Sequence, residues 1–558
     1  MRSSRLHHVI LPALFLLVYI LPLGARDLFI PDETRYAEVP REMIASGDWV
    51  VPHLDGLRYF EKPVFGYWAQ AASISLFGEN NFADRLPCAL AAGLSALLIY
   101  LLVLRGGGRS PEPDSWPATA STLIFLTCFL VVGTGTFALL DGVFSFFLTA
   151  CITAFYFASQ AQAGSARERF FLVLAGAASG LAFLTKGFLG FGLPVLVLFP
   201  YLVWQGRIKE LWRLGWPAIL AAVAVALPWS LMIHLREPGF WWRFFWYEHI
   251  HRFMAHDAQH KRSFWFFFLT APGVFLPWAF LVPSAAGGIY RRMAGQERKN
   301  SLLRLSLCWL VLPFLFFSIS SGKLLTYILP CVPPLAVLLA LGLNTTLGRG
   351  AFKLFNYGLV GIGAFLGLLL AALLYLQLIG WEGTHFFSAS WKLPLAAGSI
   401  VFSLALGLLA VKNSNYKNKI LLFALASLPI LINVQFLMPD LTLQISAPGP
   451  LIRQNAHLIG KNAVVIADQE AAAAACWYQD RDDVYLLGSP GELKYGLSYR
   501  ESHYRRLRLP AVVKLIRYYP GRVVLIFRSD KAQRWLSKLP RPRHVANSGP
   551  KGFTLALF

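Results

Sequence analysis

Residues 29–68 read FIPDETRYAEVPREMIASGDWVVPHLDGLRYFEKPVFGYW, and they carry the wrong chemistry for their surroundings. An apolar run from Val9 to Leu23 precedes them, and another from Leu86 to Leu104 follows. Between the two stand Asp32, Glu33, Glu38, Glu42, Asp48, Asp55 and Glu61, with Arg35, Arg41, Arg58 and Lys62. Ionisable groups in pairs beside membrane spans point to chemistry at a bilayer surface.

The rest of the chain fits that setting. Of 558 residues, 56% are hydrophobic and 14% charged, against about a quarter charged in a soluble protein. Mean hydropathy is +0.53. Apolar runs such as LVGIGAFLGLLLAALLYLQLIG recur, and a helix crossing the hydrocarbon layer needs roughly 20 such residues. The pattern predicts a polytopic α-helical membrane protein with about thirteen transmembrane helices. They fall near 8–25, 86–104, 117–132, 138–158, 170–185, 188–204, 214–235, 264–290, 302–319, 324–346, 354–379, 392–411 and 420–437. The first run has a basic start and ends at Gly24-Ala25, as a secretory signal does, but it is long enough to stay as an anchor.

Every second connection is basic: Arg105/Arg109, Arg167/Arg169, Arg207/Lys209/Arg213, Arg291/Arg292/Arg298/Lys299, Arg349/Lys353 and Lys412/Lys417/Lys419. The intervening short connections are poor in charge. With the basic side cytoplasmic, the first loop (about 26–85), the loop 236–263 and the tail share the outer face, which in a bacterium is periplasmic. Much of the net charge of +22 is thus topological. No compact basic module precedes the last span, so nucleic acid is not an expected partner. The six cysteines form no CxxC pair and no zinc-thiolate spacing.

Residues 1–438 read as the transmembrane domain and 439–558 as a separate part. In the tail, apolar runs shrink to strand length (463–467, 484–487, 522–527 and 553–558) and alternate with helical patterns. That predicts a small periplasmic α/β domain without a nucleotide fingerprint. Its cations, clustered at Arg500, Arg505, Arg506 and Arg508 and again at Arg541 and Arg543, suit a solvated face or anionic lipid headgroups. No matched pair of broken helices is evident in two halves, so the inverted-repeat signature of transporters is missing.

Several residues are candidates for chemistry. Asp32-Glu33 fits a base, metal ligand or orienting group, and equally a helix start with Asp as cap and Glu in the first turn. Asp141, in FALLDGVFSFF at a span mouth, is costly there and functional by default. Lys186 and Lys323 break the acid- and base-poor pattern of the outer connections. With Lys62 and Arg252 they would make a pocket for a phosphate, although snorkelling also accounts for them. The histidine-rich loop 248–260 reads as an interfacial amphipathic segment or as a divalent-metal site, for instance His249 with Glu61. Neither HExxH nor facial-triad spacing is present.

Taken together, PDETRYAEVPREMIASGDWVVPHLDGLRYFEKPVFGYW, LLDGVFSFF, LTKGFLGFGLPVL, LPWSLMIHLREPGFWWRFFWYEHIHRF, DAQHKRSFWFF and SGKLLTYILPC resemble the lipid A aminoarabinosyltransferases. These are bacterial inner-membrane glycosyltransferases of the GT-C fold, with interfacial helices in the first periplasmic loop. They move 4-amino-4-deoxy-L-arabinose from undecaprenyl phosphate to lipid A phosphates. The similarity runs from about residue 10 to 345, and the later spans and tail match mainly in layout. The PDE and EKP motifs alone are shared with polyprenyl-phosphate mannosyltransferases.

The resemblance implies roles. Lys62, Arg252, Lys323, Tyr327 and Lys186 would surround the leaving phosphate, and Asp32, Glu33 and Asp141 would lie at the sugar. Arg35 would orient the acids, while Glu61 and His249 would be the ligands of a divalent metal such as zinc. The implied partners are undecaprenyl phosphate-aminoarabinose, lipid A and membrane lipids. A lipid A phosphate is already ionised at neutral pH, so Asp32 would hold the donor amine or stabilise oxocarbenium charge rather than remove a proton. The expected consequence is resistance to polymyxin. The rivals are transfer of mannose or another sugar by the same fold, and lipid or sugar transport.

Overall fold

The computed structural model describes residues 2–106, 114–251, 261–295, 300–380, 385–460 and 462–558, with the backbone alone for 2–8 and 247–251. The chain divides into two compact units, neither contiguous in sequence. The first comprises Met1–Pro22, Cys88–Leu374 and Trp391–Val434, and the second Leu23–Pro87, Tyr375–Ser390 and Gln435–Phe558. The first loop therefore shares a unit with the tail, which a linear division at residue 438 does not anticipate.

Each of the thirteen predicted runs falls largely on helix among the described residues. Among the described residues, eight helices are long and apolar enough to cross a membrane: Asn81–Gly106, Leu140–Gln160, Ala166–Lys186, Ile208–Arg236, Ser301–Ile319, Leu325–Gly348, Lys353–Ile379 and Lys392–Lys412. Two more predicted spans are bent pairs, Trp116–Leu126 with Phe129–Thr136 (61°) and Phe266–Val274 with Trp278–Ala294 (101°). Val9–Ile20 and Leu189–Trp204 are shorter apolar helices, and Tyr416–Asn433 has 18 residues. Among the described residues, eight helices, or up to ten if each bent pair is one span, are thus long and apolar enough to cross.

Within the first unit the bent pairs meet at their breaks. Phe129 N–H donates to the Leu276 carbonyl at 2.9 Å, and Trp278 Nε1 donates to Thr127 Oγ1 at 2.9 Å. Each break frees backbone groups that hydrocarbon cannot satisfy, and each supplies partners for the other. Broken helices are thus present where the sequence showed no matched pair. Pro272 and Pro277 signal one break; Thr127-Cys128 gives no comparable signal for the other.

Small residues let helices approach closely. A Cβ on Gly176 would collide with the Ala218 carbonyl, and one on Gly180 would lie 2.7 Å from the Ala222 carbonyl, so Ala166–Lys186 packs backbone to backbone on Leu211–Arg236. Gly288 and Gly342 bring Val282–Ala294 and Val332–Gly348 together in the same way. Outward-facing leucines such as Leu235, Leu368 and Leu378 remain exposed, as lipid-facing positions are.

The second unit is built on a sheet of six strands: β3 (Val464–Ala467), β4 (Tyr485–Leu487), β5 (Arg506–Leu507), β6 (Val523–Arg528), β7 (His544–Asn547) and β8 (Phe553–Leu557). Their order is β5-β4-β3-β6-β8-β7. The first four run parallel, and β8 is antiparallel to β6 and β7. The helix Leu509–Tyr518 buries Val512 and Ile516 against Leu525 and Phe527.

A two-strand hairpin in the first loop, β1 (His53–Leu54) and β2 (Leu57–Arg58), belongs to the same unit. Its turn is Asp55-Gly56, with φ of 57° and 65°, the pairing that suits a two-residue hairpin turn. The buried Asp55 carboxylate accepts from Val484 N–H at 3.0 Å and from Arg505 Nη2 at 2.8 Å. Leu28, Ala37, Ile74 and Ala83 of the first loop pack with Trp477 of the tail.

Candidate active site

The helix Asp32–Ser46 is polar in sequence, yet every residue from Glu33 to Met43 is buried. Gly47 ends it in the left-handed conformation at φ 70°, with its N–H on the Met43 carbonyl, a common glycine stop. A buried polar helix persists only if its charges find partners, and here they do. Arg41 donates from Nε and Nη2 to the two oxygens of Glu38, at 2.9 and 2.6 Å.

Glu33 lies in a closed network. It accepts from Phe29 N–H at 2.9 Å, Arg26 Nη1 at 2.5 Å and Arg85 Nε at 2.7 Å. Burial alone would raise its pKa, but the Arg85 and Arg26 charges outweigh burial and bring it down to about 2. Glu33 thus holds the helix start, the Arg85 helix and residues 23–27 together.

Asp32 is one residue away and differs in every respect. Its side chain is 47% exposed, and its carboxylate accepts from Arg35 one turn further on. Arg35 also donates to Glu492 of the tail, whose Oε2 accepts from the Tyr59 hydroxyl at 3.0 Å. Arg35 lies over the Tyr36 ring, 4.9 Å from its centroid, and Tyr36 packs against Tyr67. Despite its burial, Arg35 is pushed to a higher pKa by the neighbouring Tyr59, Tyr36, Asp32 and Glu61. Two buried donors in this cluster, Arg35 Nε and the Tyr67 hydroxyl, have no hydrogen-bond partner among the described residues. An oxygen-rich ligand beside Asp32 would satisfy them. Glu61 is buried, and Lys62 Nζ donates to its carbonyl at 3.1 Å.

In the first unit, Asp141 and Lys186 form an ion pair of 2.5 Å. Asp141 occupies the first turn of Leu140–Gln160 and Lys186 the last turn of Ala166–Lys186, where helix dipoles favour these charges. The Lys186 ammonium lies 4.9 Å from the Tyr327 ring centroid and 5.7 Å from that of Phe144. Asp141, Lys186 and Tyr327, scattered in sequence, are therefore one cluster. Lys323 is placed differently: its buried ammonium donates to the backbone carbonyls of Ser320 and, at 3.1 Å, Arg262. Burial lowers its pKa.

Arg252 lies outside the described residues, as does the side chain of His249 at the end of the Trp242–His251 helix. Among the described residues no group of three or more His, Cys, Asp or Glu could hold a metal ion. Sequence reasoning missed Glu492 and Tyr59. Tyr59 stands two residues before Glu61 as one aromatic among several there, and Glu492 gives no signal beyond being an acid in a basic tail.

A family model described as dolichyl-phosphate-mannose-protein mannosyltransferase matches residues 6–244. A second, described as the C-terminal domain of arabinosyl transferase ArnT, matches residues 443–556. A Shewanella sediminis protein named undecaprenyl phosphate-alpha-4-amino-4-deoxy-L-arabinose arabinosyl transferase is 38% identical, over 99% of this chain and 97% of its own. The chain belongs to this arabinosyl transferase family. A Pseudomonas aeruginosa protein of the same name is 40% identical over 89% of this chain and 87% of its own. The crystal structure of ArnT from Cupriavidus metallidurans bound to undecaprenyl phosphate superposes with a TM-score of 0.81, at 24% identity, covering 98% of this chain and 97% of that one. The fold is that of the arabinosyl transferases, GT-C, with a C-terminal α/β domain.

Proposed function

We propose that this protein transfers 4-amino-4-deoxy-L-arabinose from undecaprenyl phosphate to phosphate groups of lipid A, at the periplasmic face of the bacterial inner membrane. The observation that carries the reading is 38% identity to a named arabinosyl transferase along 99% of the chain. The product would carry less negative charge than lipid A, and so resist polymyxin and other cationic peptides.

The reaction is a single displacement. An ionised phosphate oxygen of lipid A attacks the anomeric carbon, the bond from that carbon to the donor phosphate oxygen breaks, and undecaprenyl phosphate leaves with the electron pair. Configuration inverts and no proton moves. The protein's task is then to stabilise charge that develops in the transition state. Asp32, the open carboxylate of its cluster, faces the positive sugar, as oxocarbenium or amine. Arg35 holds it, with Glu492 and Tyr59 behind. Arg35 Nε and the Tyr67 hydroxyl offer donors to sugar hydroxyls. The Lys62 ammonium counters the charge of the leaving phosphate. Lys186 fixes Asp141, and Lys323 fixes the backbone around residue 262. Glu33 serves as a structural acid. Glu61 acts as a carboxylate near Arg35.

The match of residues 6–244 to the mannosyltransferase model supports a second reading, transfer of mannose from a polyprenyl phosphate. Membranes containing the protein, given undecaprenyl phosphate-aminoarabinose and lipid A, should yield lipid A heavier by one aminopentose. Product only with polyprenyl-phosphate mannose would replace the first reading by the second, and no covalent product with either donor would leave transport.

A further inference from the structure

The tail carries charge out of proportion to its length. Residues 500–558 hold fourteen Lys and Arg against two acids, a net +12 of the chain's +22. These charges do not belong to the proposed sugar site, and an outer-face segment has no topological reason to be cationic.

The sheet topology gathers part of them at one end. Strand β6 starts at Val523 beside the last residues of β8, and β7 starts at His544 opposite Leu557, so these strands begin at the same end. The helix Leu509–Tyr518 returns to that end, and Tyr519 to Arg522 lead from it into β6. Arg517, Arg522, Arg541 and Arg543 are therefore neighbours there, and all four are exposed. Gly521 (φ 80°) closes the turn, and a Cβ on it would lie 2.7 Å from Arg543 Nη1. Among the described residues none of the four makes an ion pair. The acids at this end of the sheet lie on its other side, by β4, where Asp480 pairs with Arg41 and Asp483 with Arg481. Between the arginines stand Tyr518, 77% exposed, and Tyr519, 37% exposed.

Exposed arginines around exposed tyrosines make a surface for a charged apolar boundary: the rings settle at headgroup depth while the guanidiniums meet phosphates. We infer that the end of the tail sheet formed by Arg517, Tyr518, Tyr519, Arg522, Arg541 and Arg543 docks on the anionic phospholipid headgroups of the leaflet. Each cation near such a surface contributes about a five-fold factor in affinity, so four suffice to hold a domain that is already tethered.

The test uses the full chain in lipid nanodiscs of phosphatidylcholine, with or without one part in three of phosphatidylglycerol. Backbone hydrogen exchange over residues 518–522 should slow about ten-fold in the anionic discs, and high salt should abolish the difference. A variant carrying Arg517→Glu, Arg522→Glu, Arg541→Glu and Arg543→Glu should exchange equally in both discs, with exchange in β3 and β6 unchanged to show that the sheet is intact. Equal exchange of the unmodified protein in the two discs overturns the inference. So does slowing that salt does not reverse, or slowing that appears only when lipid A is added to phosphatidylcholine.

Discussion

Arg35 donates to Asp32 one helical turn before it and, with another nitrogen, to Glu492 some 457 residues later. The only open carboxylate of the helix start is thus held through a guanidinium that the C-terminal domain shares. Arg35→Lys keeps the charge but cannot fork between two acids. We expect turnover to fall about 100-fold, the scale of a 1 Å misplacement, with donor KM little changed. Steady-state kinetics on purified variants checks this, and a pure KM effect would place Arg35 in binding alone.

Asp32→Asn should lower turnover by about 100- to 1,000-fold, as removal of one preorganised electrostatic partner does. Because the attacking phosphate is already ionised, the loss should be the same across the neutral pH range. A loss confined to one limb of the pH profile would assign Asp32 a proton-transfer role instead.

Asp141 and Lys186 answer to each other through their 2.5 Å ion pair. Asp141→Asn and Lys186→Met should each reduce activity, and the double variant should be no worse than the poorer single one, since residues in one pair act as a unit. Additive losses would mean that each meets substrate separately.

Two acids on the same helix should respond to pH in opposite directions. Glu33 falls from 4.5 to about 2 when folded, so its contribution, about 3 kcal/mol, is complete above the unfolded pKa and is lost as pH falls toward the folded one. Glu42, buried with one oxygen on Gly56 N–H, is raised by that burial from 4.5 to about 7. Its stability is complete below the unfolded pKa and lost as pH rises through about 7. Thermal unfolding in detergent should show Glu33→Gln destabilised at neutral pH. Glu42→Gln should be stabilised there, with the gain shrinking in acid.

Gly342→Ala would drive a methyl into the Ala285 carbonyl. Overpacking of this kind costs about 1–3 kcal/mol, so a lower unfolding temperature is expected, whereas Gly367→Ala, with open space around it, should be neutral.

The spans were legible because each apolar run specifies its own helix. Strands β3, β4, β6 and β8 were legible for the same reason, while the edge strands β5 and β7, with no apolar run, were not. The hairpin at Asp55-Gly56 was not anticipated, although Asp-Gly is a turn pair, and nothing local says that its tip binds Arg505. Asp141 and Lys186 could be flagged singly as charges in apolar surroundings; their pairing needed coordinates. Lys323 shows the limit from the other side. A lone cation in an acid-poor connection suggests an anionic ligand, yet its partners are the carbonyls of Arg262 and Ser320, which every residue type possesses.

The Asp55 hairpin bears on how the chain can be cut. Removing residues 439–558 would leave a buried aspartate without Arg505, a buried Arg35 without Glu492, and Arg41 without Asp480. A truncated protein that fails to work would then say nothing about the tail's own activity, because the first loop would have lost its counter-charges. The two stretches are better exchanged together between relatives, as one cassette, than severed.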